Sequence, residues 1–496
     1  MNYLGISAGF HDAAISLIDN NGKILYAGHS ERYNKLKHSN QLTLDIVQDA
    51  MSYSNSNNIE VHYYEQPLLK YLRQLRSGEN PKFKNLFAKN IIGKELLKTI
   101  FLGKIYKIHT HNHHLSHAAA GFQTSPYDRA TVVVIDAIGE FDTITIWNAW
   151  YENGYAKYKK IFNKKYPNSI GLFYSAMTQR VGLKPLDEEY ILMGMSAYGT
   201  PKYTGDMLKF FNSVSNIEFN TNLHIGCDES FLPNAEIMDI ASSAQEVTET
   251  LIEFVISKAK HLGNSNNLVY SGGVALNCLA NRKLGNFFDN IWIMPNPGDA
   301  GSSLGAAALG YGKKIDWINA FLGYDISGTY PTNQIVDGLL KDKIVGVASG
   351  RAEFGPRALG NRSLLADPRG QEIKDKVNEI KRRQKFRPFA PIILEEYVDQ
   401  YFTMPNGFSI SPYMQVVAKC REPELFPAII HYDGTSRVQT VGKDNTGIRE
   451  LLEKWYILTE CPMLLNTSLN IRGEPMVNDL SDADRFQKLY GVKVYS

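Results

Sequence analysis

The segment Thr131-Val-Val-Val-Ile135, Asp136-Ala-Ile-Gly-Glu140 and Thr143-Ile-Thr-Ile-Trp147 carries the pattern that decides the fold. Two apolar runs rich in β-branched residues flank a short acidic turn, which predicts a pair of strands. The N-terminus repeats this pattern, because residues 3–6 and 13–18 are apolar and residues 7–12 form a turn of mostly small and polar residues. Two strand–turn–strand units in one chain predict two related α/β lobes.

Paired lobes of this kind are typical of the actin, Hsp70 and sugar-kinase fold, which holds a nucleotide between its halves. A chain of 496 residues is also too long for one ordinary hydrophobic core, so at least two domains are expected. The pattern of strands and helices breaks around residues 314–335, where Lys, Gly, Tyr and Pro accumulate. We place the domain boundary there, between residues 325 and 326.

The overall composition describes a soluble globular protein, with 44% hydrophobic and 21% charged residues. A net charge of +2 creates no field that argues for a nucleic-acid or membrane partner. The four cysteines are far apart in sequence, which predicts reduced and mostly buried thiols in a cytoplasmic protein. We find neither a signal peptide nor an apolar run long enough to span a membrane.

Histidines cluster just before the central strand pair, where five of the chain's 12 histidines fall within residues 109–117. His113 and His117 are four positions apart, so a helix places both imidazoles on one face, where they can share a metal ion. Two carboxylates occur further along the chain: Asp136 directly follows the predicted strand at residues 131–135, and Asp299 lies in the glycine-marked loop before an alanine-rich segment. Two imidazoles with carboxylates suit iron, manganese or zinc. The alternative is a histidine-rich surface turn without a ligand.

Two glycine-marked loops lead into predicted helices. The first is Ser271-Gly272-Gly273-Val-Ala-Leu-Asn277, and the second runs from Gly298 through Ser303 ahead of an alanine-rich segment. Free backbone N–H groups and the helix dipole make such junctions suitable for an anion. We therefore predict that Gly272, Gly273 and Asn277 contact a nucleotide.

The C-terminal part contains a dense group of basic residues threaded by glycines and prolines. Guanidinium groups bind phosphate and carboxylate in a bidentate manner, so this part is expected to bind a small, strongly anionic ligand. A solvated basic helix or a nucleic-acid contact is the alternative. The residues are Arg351, Arg357, Arg362, Arg369, Lys381, Arg382, Arg383, Lys385 and Arg387.

Several long motifs resemble the NodU/CmcH family of O-carbamoyltransferases. The most specific is Gly350-Arg-Ala-Glu-Phe-Gly-Pro-Arg-Ala-Leu-Gly-Asn-Arg-Ser363. Further motifs fit the same family in the same order and extend the resemblance over nearly the whole chain. They lie at residues 112–118, 271–278, 386–391, 431–441 and 466–470.

The resemblance implies an actin/Hsp70-like carbamoyl-transfer domain over residues 1–325, with two ribonuclease H-like lobes. It implies a YrdC-like α/β domain over residues 326–496 that forms carbamoyl-adenylate from ATP and carbamoyl phosphate. The carbamoyl group then passes to a hydroxyl of a small-molecule acceptor. Sugars, antibiotics and hydroxymethylated pyrimidine nucleotides are the acceptor classes.

The family motifs also imply roles for individual residues. His113, His117, Asp136 and Asp299 correspond to ligands of a divalent metal, with Fe²⁺ favoured over Mn²⁺ and Zn²⁺, and Mg²⁺ is expected to accompany ATP. His11 is the expected general base, and Asp12 and Lys37 are expected beside it at the acceptor. The residues expected to grip carbamoyl phosphate and the adenylate are Arg357, Lys381, Arg387, Arg437 and Ser468.

The chain departs from the family pattern at three positions. Gln384 stands in place of a glutamate, Ile191 in place of a lysine and Ala137 in place of a glycine. Two other functions compete with carbamoyl transfer: a threonylcarbamoyl-type enzyme that modifies tRNA, and an inactive nucleotide sensor. The resemblance favours a cytoplasmic enzyme that binds neither a membrane nor a polymeric nucleic acid, as a monomer or a homodimer.

Overall fold

The computed structural model of the chain describes residues 1–101, 107–443 and 446–496. It has an α/β architecture with two five-stranded sheets in the N-terminal part and a six-stranded sheet in the C-terminal part. The predicted α/β class is therefore confirmed. Alternating basic and apolar positions predict helices over residues 65–105; the structure has short helices between Pro67 and Phe101, and residues 102–105 lie outside the described residues.

The first lobe is built on a sheet of five strands in the order β3-β2-β1-β4-β5. The first three strands form an antiparallel meander, and β4 and β5 run parallel to β1. The predicted strand pair at the N-terminus corresponds to β1 and β2. The strands are β1 (Asn2–Ser7), β2 (Ala14–Asp19), β3 (Ile24–His29), β4 (Ile59–Tyr63) and β5 (Ile108–Thr110).

The second lobe repeats this sheet with the order β8-β7-β6-β11-β12 and the same strand directions. The segment quoted at the outset forms its centre, because β6 and β7 pair over residues 129–135 and 144–150. The two lobes are thus related in topology, as the repeated sequence pattern predicts. The strands are β6 (Arg129–Ile135), β7 (Asp142–Glu152), β8 (Tyr155–Lys165), β11 (Asn267–Ser271) and β12 (Asn290–Ile293), with a small hairpin of β9 (Phe211–Ser213) and β10 (Glu218–Phe219).

Helices cover both sheets. Among the described residues, no helix combines the length and the apolar character needed to cross a membrane. The α-helices of the two lobes are α1 (Glu31–Asn34), α2 (Leu44–Ser52), α3 (Pro67–Arg76), α4 (Ala88–Ile92), α5 (Lys94–Phe101), α6 (His113–Thr124), α7 (Ile170–Arg180), α8 (Glu189–Met195), α9 (Thr204–Leu208), α10 (Ile237–Leu262), α11 (Cys278–Asn281) and α12 (Gly301–Tyr311).

The lobes meet through α6 and α12, and each helix packs on the sheet of the other lobe. Helix α6 follows β5 but contacts β6 and β11, whereas α12 follows β12 but contacts β1, β2 and β4. The two helices approach so closely that a β-carbon on Gly305 would lie 1.8 Å from the backbone oxygen of Ser116. A β-carbon on Gly5 of β1 would likewise lie 1.8 Å from the oxygen of Ser303 in α12. Glycine is therefore required where backbone meets backbone.

The C-terminal part surrounds a mixed sheet in the order β21-β17-β22-β16-β14-β23. The proposed boundary between residues 325 and 326 falls inside β13, which pairs with β15. Its strands are β13 (Phe321–Ile326), β14 (Ile344–Ala348), β15 (Gly350–Glu353), β16 (Arg362–Ala366), β17 (Ala390–Leu394), β18 (Phe402–Thr403), β19 (Val417–Cys420), β20 (Thr435–Arg437), β21 (Gln439–Val441), β22 (Met463–Ser468) and β23 (Val494–Tyr495). Its α-helices are α13 (Thr332–Asp342), α14 (Gln371–Ile380), α15 (Val398–Tyr401), α16 (Thr446–Thr459) and α17 (Leu480–Tyr490).

One helix differs from its predicted bounds. Apolar residues at helical spacing, among them Val247, Leu251 and Phe254, predict an amphipathic helix that Ser242 or Ser243 would cap. The helix α10 instead begins at Ile237, and the Ser243 hydroxyl donates to the backbone oxygen of Asp239 within it. Val247 and Leu251 are buried as this pattern predicts, but Phe254 is 38% exposed. Serine in mid-helix can satisfy its hydroxyl on the preceding turn, so its presence does not mark a helix start.

The contact between α6 and α12 yields a stability prediction. We expect Gly305→Ala to lower the free energy of unfolding by about 1–3 kcal/mol, because the new methyl group overlaps the Ser116 carbonyl and forces the helices apart. In an unobstructed helix the same change stabilises by roughly 0.4–1 kcal/mol. Gly205→Ala in α9 is the matched control, since a β-carbon there meets nothing within 4 Å. Urea unfolding of both variants measures the difference; a Gly305→Ala variant as stable as the control would contradict this packing.

Candidate active site

Four side chains converge where α6 meets the ends of β6 and the loop before α12. Nε2 of His113 lies 3.0 Å from Nε2 of His117, and both atoms lie 3.1–3.5 Å from Oδ2 of Asp136 and Oδ1 of Asp299. All four residues are buried. The four ligand atoms lie within 4.8 Å of one another, so one cation can contact all of them.

Neighbouring groups fix these side chains. Nδ1 of His117 donates to the backbone oxygen of Pro297 at 3.0 Å, which leaves Nε2 free to face the cluster. The N–H of Gly273 donates to Oδ1 of Asp136 at 3.1 Å. Glu140 accepts from the first backbone N–H of α6 at 2.9 Å and so caps the helix that carries both histidines. The cluster is held in place by backbone groups of both lobes.

Charges within the cluster are strongly coupled. Burial alone would lower the pKa values of His113 and His117, but the carboxylates of Asp136 and Asp299 raise them. Burial would raise the pKa of Asp136, but the two imidazoles hold it well below its ordinary value. The cluster thus offers two ionised carboxylates and two imidazole Nε2 atoms that face each other. This donor set fits a divalent transition metal.

His11 lies beside this cluster. Its Nε2 is 3.8 Å from Oδ2 of Asp299, and its Nδ1 is 2.9 Å from Oδ2 of Asp12. An ionised carboxylate only accepts, so Nδ1 carries a proton and Nε2 faces the cluster. Burial lowers the pKa of His11, but Asp299 and Asp12 together raise it to about 9. His11 thus meets the geometric requirement for a base, and its charge state depends on the charge of Asp299.

One cavity of about 420 Å³ connects this cluster to the C-terminal part. Its N-terminal end includes the predicted residues His11, Asp12, Lys37, Asp136 and Asp299, while His113 and His117 lie behind its wall. Its C-terminal end includes all the residues predicted to grip the anionic ligand: Arg357, Lys381, Arg387, Arg437 and Ser468.

The C-terminal end carries five guanidinium groups, those of Arg357, Arg383, Arg387, Arg437 and Arg472, and Arg472 pairs with Glu188. The other four are half-buried, and among the described residues none of them has a carboxylate within ion-pair distance. The buried Nε of Arg437 has no hydrogen-bond partner. Burial and the adjacent Arg437 lower the pKa of Arg357 to about 9, and burial followed by Arg387 and Arg437 lowers that of Arg383. Half-buried cations that repel one another favour a bound anion, so this end of the cavity suits phosphate or carboxylate groups.

Lys381 differs from these arginines because its ammonium group is already coordinated. Nζ donates to Oγ of Ser468 at 3.2 Å and to the backbone oxygen and Oδ1 of Asn470 at 2.9 and 3.0 Å. Burial and the arginines lower the pKa of Lys381 well below its ordinary value. In this arrangement Lys381 fixes the strand end at Ser468, in addition to lining the cavity.

The predicted nucleotide residues have structural contacts of their own. Gly272 has φ +91° and a β-carbon there would lie 2.1 Å from the oxygen of Ile135, so glycine is needed where β11 meets β6. Asn277 caps α11 and exchanges two hydrogen bonds with Gln245 at 3.1 Å. Gly273 and Asn277 line the cavity, and Gly272 does not. Contact of these residues with a nucleotide stays a prediction.

Other residues at the site lacked a distinctive sequence signal. Tyr190 has its ring 4.8 Å from the guanidinium carbon of Arg387, and Glu65 lies 3.8 Å from Nδ1 of His113. Both contacts arise because segments that are distant in sequence pack together, so no local motif identifies Tyr190 or Glu65. Of the positions that depart from the family pattern, Ile191 is buried in the core of the second lobe, Gln384 has a buried Oε1 without a hydrogen-bond partner, and Ala137 lines the cavity.

Comparison with curated proteins finds relatives that extend over most of the chain. An uncharacterized protein of Synechocystis, sll1178, is 33% identical over 97% of this chain and 93% of its own length. Nodulation protein NolNO of Sinorhizobium fredii is 29% identical over 95% of this chain and 76% of its own length. Among solved structures, the activator of the 2-hydroxyisocaproyl-CoA dehydratase from Clostridium difficile is 14% identical over 63% of this chain and 94% of its own, with a TM-score of 0.34.

Two family models match the two parts of the chain. The model described as carbamoyltransferase N-terminus matches residues 2–308, which span both lobes and the metal-ligand cluster. The model described as carbamoyltransferase C-terminus matches residues 336–495, which span the arginine-lined end of the cavity. The two matches are adjacent and together take in both ends of the cavity. The chain therefore belongs to the carbamoyltransferase family and is a transferase enzyme.

Proposed function

We propose that this chain is an O-carbamoyltransferase that uses ATP and carbamoyl phosphate to form carbamoyl-adenylate and then transfers the carbamoyl group to a hydroxyl. The observation that carries the proposal is the composition of the cavity. One cavity has half-buried arginines without carboxylate partners at one end and a His–Asp cluster with His11 at the other. This arrangement suits a reaction that first handles phosphates and then a hydroxyl.

The first half-reaction belongs to the arginine-lined end. One water molecule hydrolyses carbamoyl phosphate to carbamate and phosphate. An oxygen of the carbamate then attacks the α-phosphorus of ATP. Pyrophosphate leaves, so the products are carbamoyl-adenylate, phosphate and pyrophosphate. Arg357, Arg383, Arg387 and Arg437 bind the phosphate oxygens through charge-assisted hydrogen bonds and offset their negative charge.

The second half-reaction belongs to the end with His11. The acceptor oxygen attacks the carbamoyl carbon, the bond from that carbon to the adenylate oxygen breaks, and AMP leaves. When the charge of Asp299 is offset, the pKa of His11 falls, and Nε2 can receive the proton of the acceptor hydroxyl while Asp12 holds the other proton on Nδ1. The acceptor is a small molecule with a hydroxyl group, and sugars, antibiotics and hydroxymethylated pyrimidine nucleotides remain the candidate classes.

The cluster of His113, His117, Asp136 and Asp299 would hold a divalent metal, for which iron is our first choice. Such an ion supplies Lewis-acid stabilisation of negative charge on a carbonyl oxygen. We also propose that residues 1–325 form an actin/Hsp70-like domain and residues 326–496 a YrdC-like domain. The shared strand order of the two lobes supports the first assignment, and the half-buried arginines lining the cavity support an adenylate-forming role for the second.

A tRNA-modifying enzyme is the second candidate, and an inactive nucleotide sensor is the third. A cavity of about 420 Å³ favours a small acceptor over a tRNA loop. The presence of a complete ligand cluster and of half-buried arginines without carboxylate partners favours catalysis over sensing. Exchange of labelled pyrophosphate into ATP that depends on carbamoyl phosphate separates the first candidate from the other two.

Replacement of a ligand tests the metal site. His117→Ala removes an imidazole with two carboxylates within 3.5 Å, so we expect the purified variant to lose most of its bound metal. His261→Ala, on the exposed end of α10, is the control and should keep wild-type metal content. Elemental analysis of both proteins measures the outcome. Wild-type metal content in His117→Ala would contradict the ligand assignment.

Replacement of a cavity arginine tests the anion site. Arg387→Gln removes a guanidinium that lacks a carboxylate partner, and each lost charge-assisted hydrogen bond costs about 1.5–3 kcal/mol. We expect carbamoyl phosphate-dependent pyrophosphate exchange to fall by at least roughly tenfold, while Tm without ligand does not fall, since repulsion among the arginines decreases. Arg421→Gln on the exposed surface is the control. Normal exchange in Arg387→Gln would argue against the assigned end of the cavity.

Replacement of His11 tests the division of the reaction. We expect His11→Ala to retain carbamoyl phosphate-dependent pyrophosphate exchange and to release AMP more slowly, by about 100- to 10,000-fold, because a general base is lost. AMP release, with water as the hydroxyl acceptor, measures the second half-reaction. Tm serves as the stability control. If exchange and AMP release fall by the same factor, His11 is not specific to the second half-reaction.

A further inference from the structure

His38 connects the proposed base to a distant segment of the second lobe. Its Nδ1 lies 2.7 Å from Oδ1 of Asp12, whose other oxygen contacts His11 at 2.9 Å. Its Nε2 lies 2.9 Å from Oδ1 of Asp187. A continuous line of contacts therefore runs from His11 through Asp12 and His38 to Asp187. His38 was not among the residues that the sequence singled out.

The carboxylate of Asp12 accepts from Nδ1 of His38, so Nδ1 carries a proton, while Nε2 lies 2.9 Å from Oδ1 of Asp187 without the alignment of a hydrogen bond. Burial alone would lower the pKa of His38, but the hydrogen bond to Asp12 and the contact with Asp187 raise it to about 10. Glu31 accepts from the backbone N–H of His38 at 2.9 Å, and Lys37 contacts Asp187 at 2.9 Å. His38 is thus a cation between two carboxylates, and Asp12 has two imidazole partners.

The backbone at this contact is constrained. Asp12 has φ +51° and His38 has φ +54°, a region that residues other than glycine seldom adopt. Two backbone hydrogen bonds, Gly9 N–H to Asn40 O at 2.8 Å and Ala13 N–H to Ser39 O at 2.7 Å, fix the two loops against each other. Such conformations persist where surrounding contacts require them and are frequent at functional sites.

Asp187 lies between α7 and α8. This segment and the first turn of α8 also contact the C-terminal part. Glu188 pairs with Arg472 at 2.9 Å, and the ring of Tyr190 faces the guanidinium of Arg387. His38 therefore joins the loop that carries His11 to a segment anchored at the arginine-lined end of the cavity. The contact spans the first lobe, the second lobe and the C-terminal part.

We propose that His38 is a positioning residue, which holds Asp12 against His11 and thereby directs Nε2 of His11 into the cavity, with Asp187 anchoring His38 from the second lobe. This role rests on the proposed function of His11 as the base. His38 itself does not take the acceptor proton, since both of its nitrogens face carboxylates. Without Nδ1 of His38, Asp12 keeps one of its two partners and the His11 ring is free to turn.

Two neutral variants separate the two contacts of His38. His38→Asn places an amide near the former Nδ1 and retains a donor for Asp12, whereas His38→Gln places an amide near the former Nε2 and retains a donor for Asp187. Both variants remove the positive charge, so their difference reports which contact matters. We expect similar pyrophosphate exchange in wild type and both variants. We expect AMP release to fall by about 100-fold in His38→Gln, as for a misplaced catalytic group, and by much less in His38→Asn.

Crystal structures of the two variants provide a second measurement that does not depend on activity. We expect the His11 ring to keep its 2.9 Å contact with Asp12 in His38→Asn and to lose it in His38→Gln. Equal AMP release in the two variants, or losses that follow Tm alone, would overturn the positioning role. If the wild type shows no carbamoyl phosphate-dependent exchange, the proposed function fails; the position of the His11 ring in the His38→Gln crystal then still decides whether His38 positions it.

Discussion

The close packing of α6 against α12 is the constraint on which the site depends. Helix α6 carries His113 and His117, and the loop that supplies Asp299 leads directly into α12. Because α6 packs on the second-lobe sheet, it brings His113 and His117 to the ends of β6 and β12, after which Asp136 and Asp299 follow. Gly305 permits this approach, since any side chain at that position would meet the Ser116 carbonyl. Stability and metal-ligand geometry thus share one interface.

The cavity combines two electrostatic environments that could not coexist if they were closer. At one end, buried carboxylates and imidazoles neutralise one another around the cluster of His113, His117, Asp136 and Asp299. At the other end, half-buried guanidinium groups lack carboxylate partners, and burial with the neighbouring arginines lowers the pKa values of Arg357 and Arg383. Uncompensated charge of this kind costs stability, so it favours a site where a ligand supplies the missing charge.

Much of this site could be predicted from local sequence. The spacing of His113 and His117 fixes their common helix face, and Asp136 follows a strand that the run of β-branched residues makes evident. The arginines around Arg387 stand out by their density. Local sequence does not show the structural partners of several residues: Asn277 caps α11, Lys381 is bound by oxygens of Ser468 and Asn470, and Ser243 satisfies its hydroxyl within α10. Composition does not reveal such partners.

The sequence by itself determined the α/β class, the two related lobes and the family, because these follow from strand periodicity and from motifs that are contiguous in the chain. It also supplied the four metal-ligand candidates and most of the basic residues of the cavity. Only the tertiary structure decided that the metal-ligand carboxylates and the basic residues line one cavity. It also decided that His38 lies between Asp12 and Asp187, and that Tyr190 lies against Arg387. These contacts connect residues up to about 197 positions apart, and their geometry depends on how lobes and sheets pack, which local patterns do not encode.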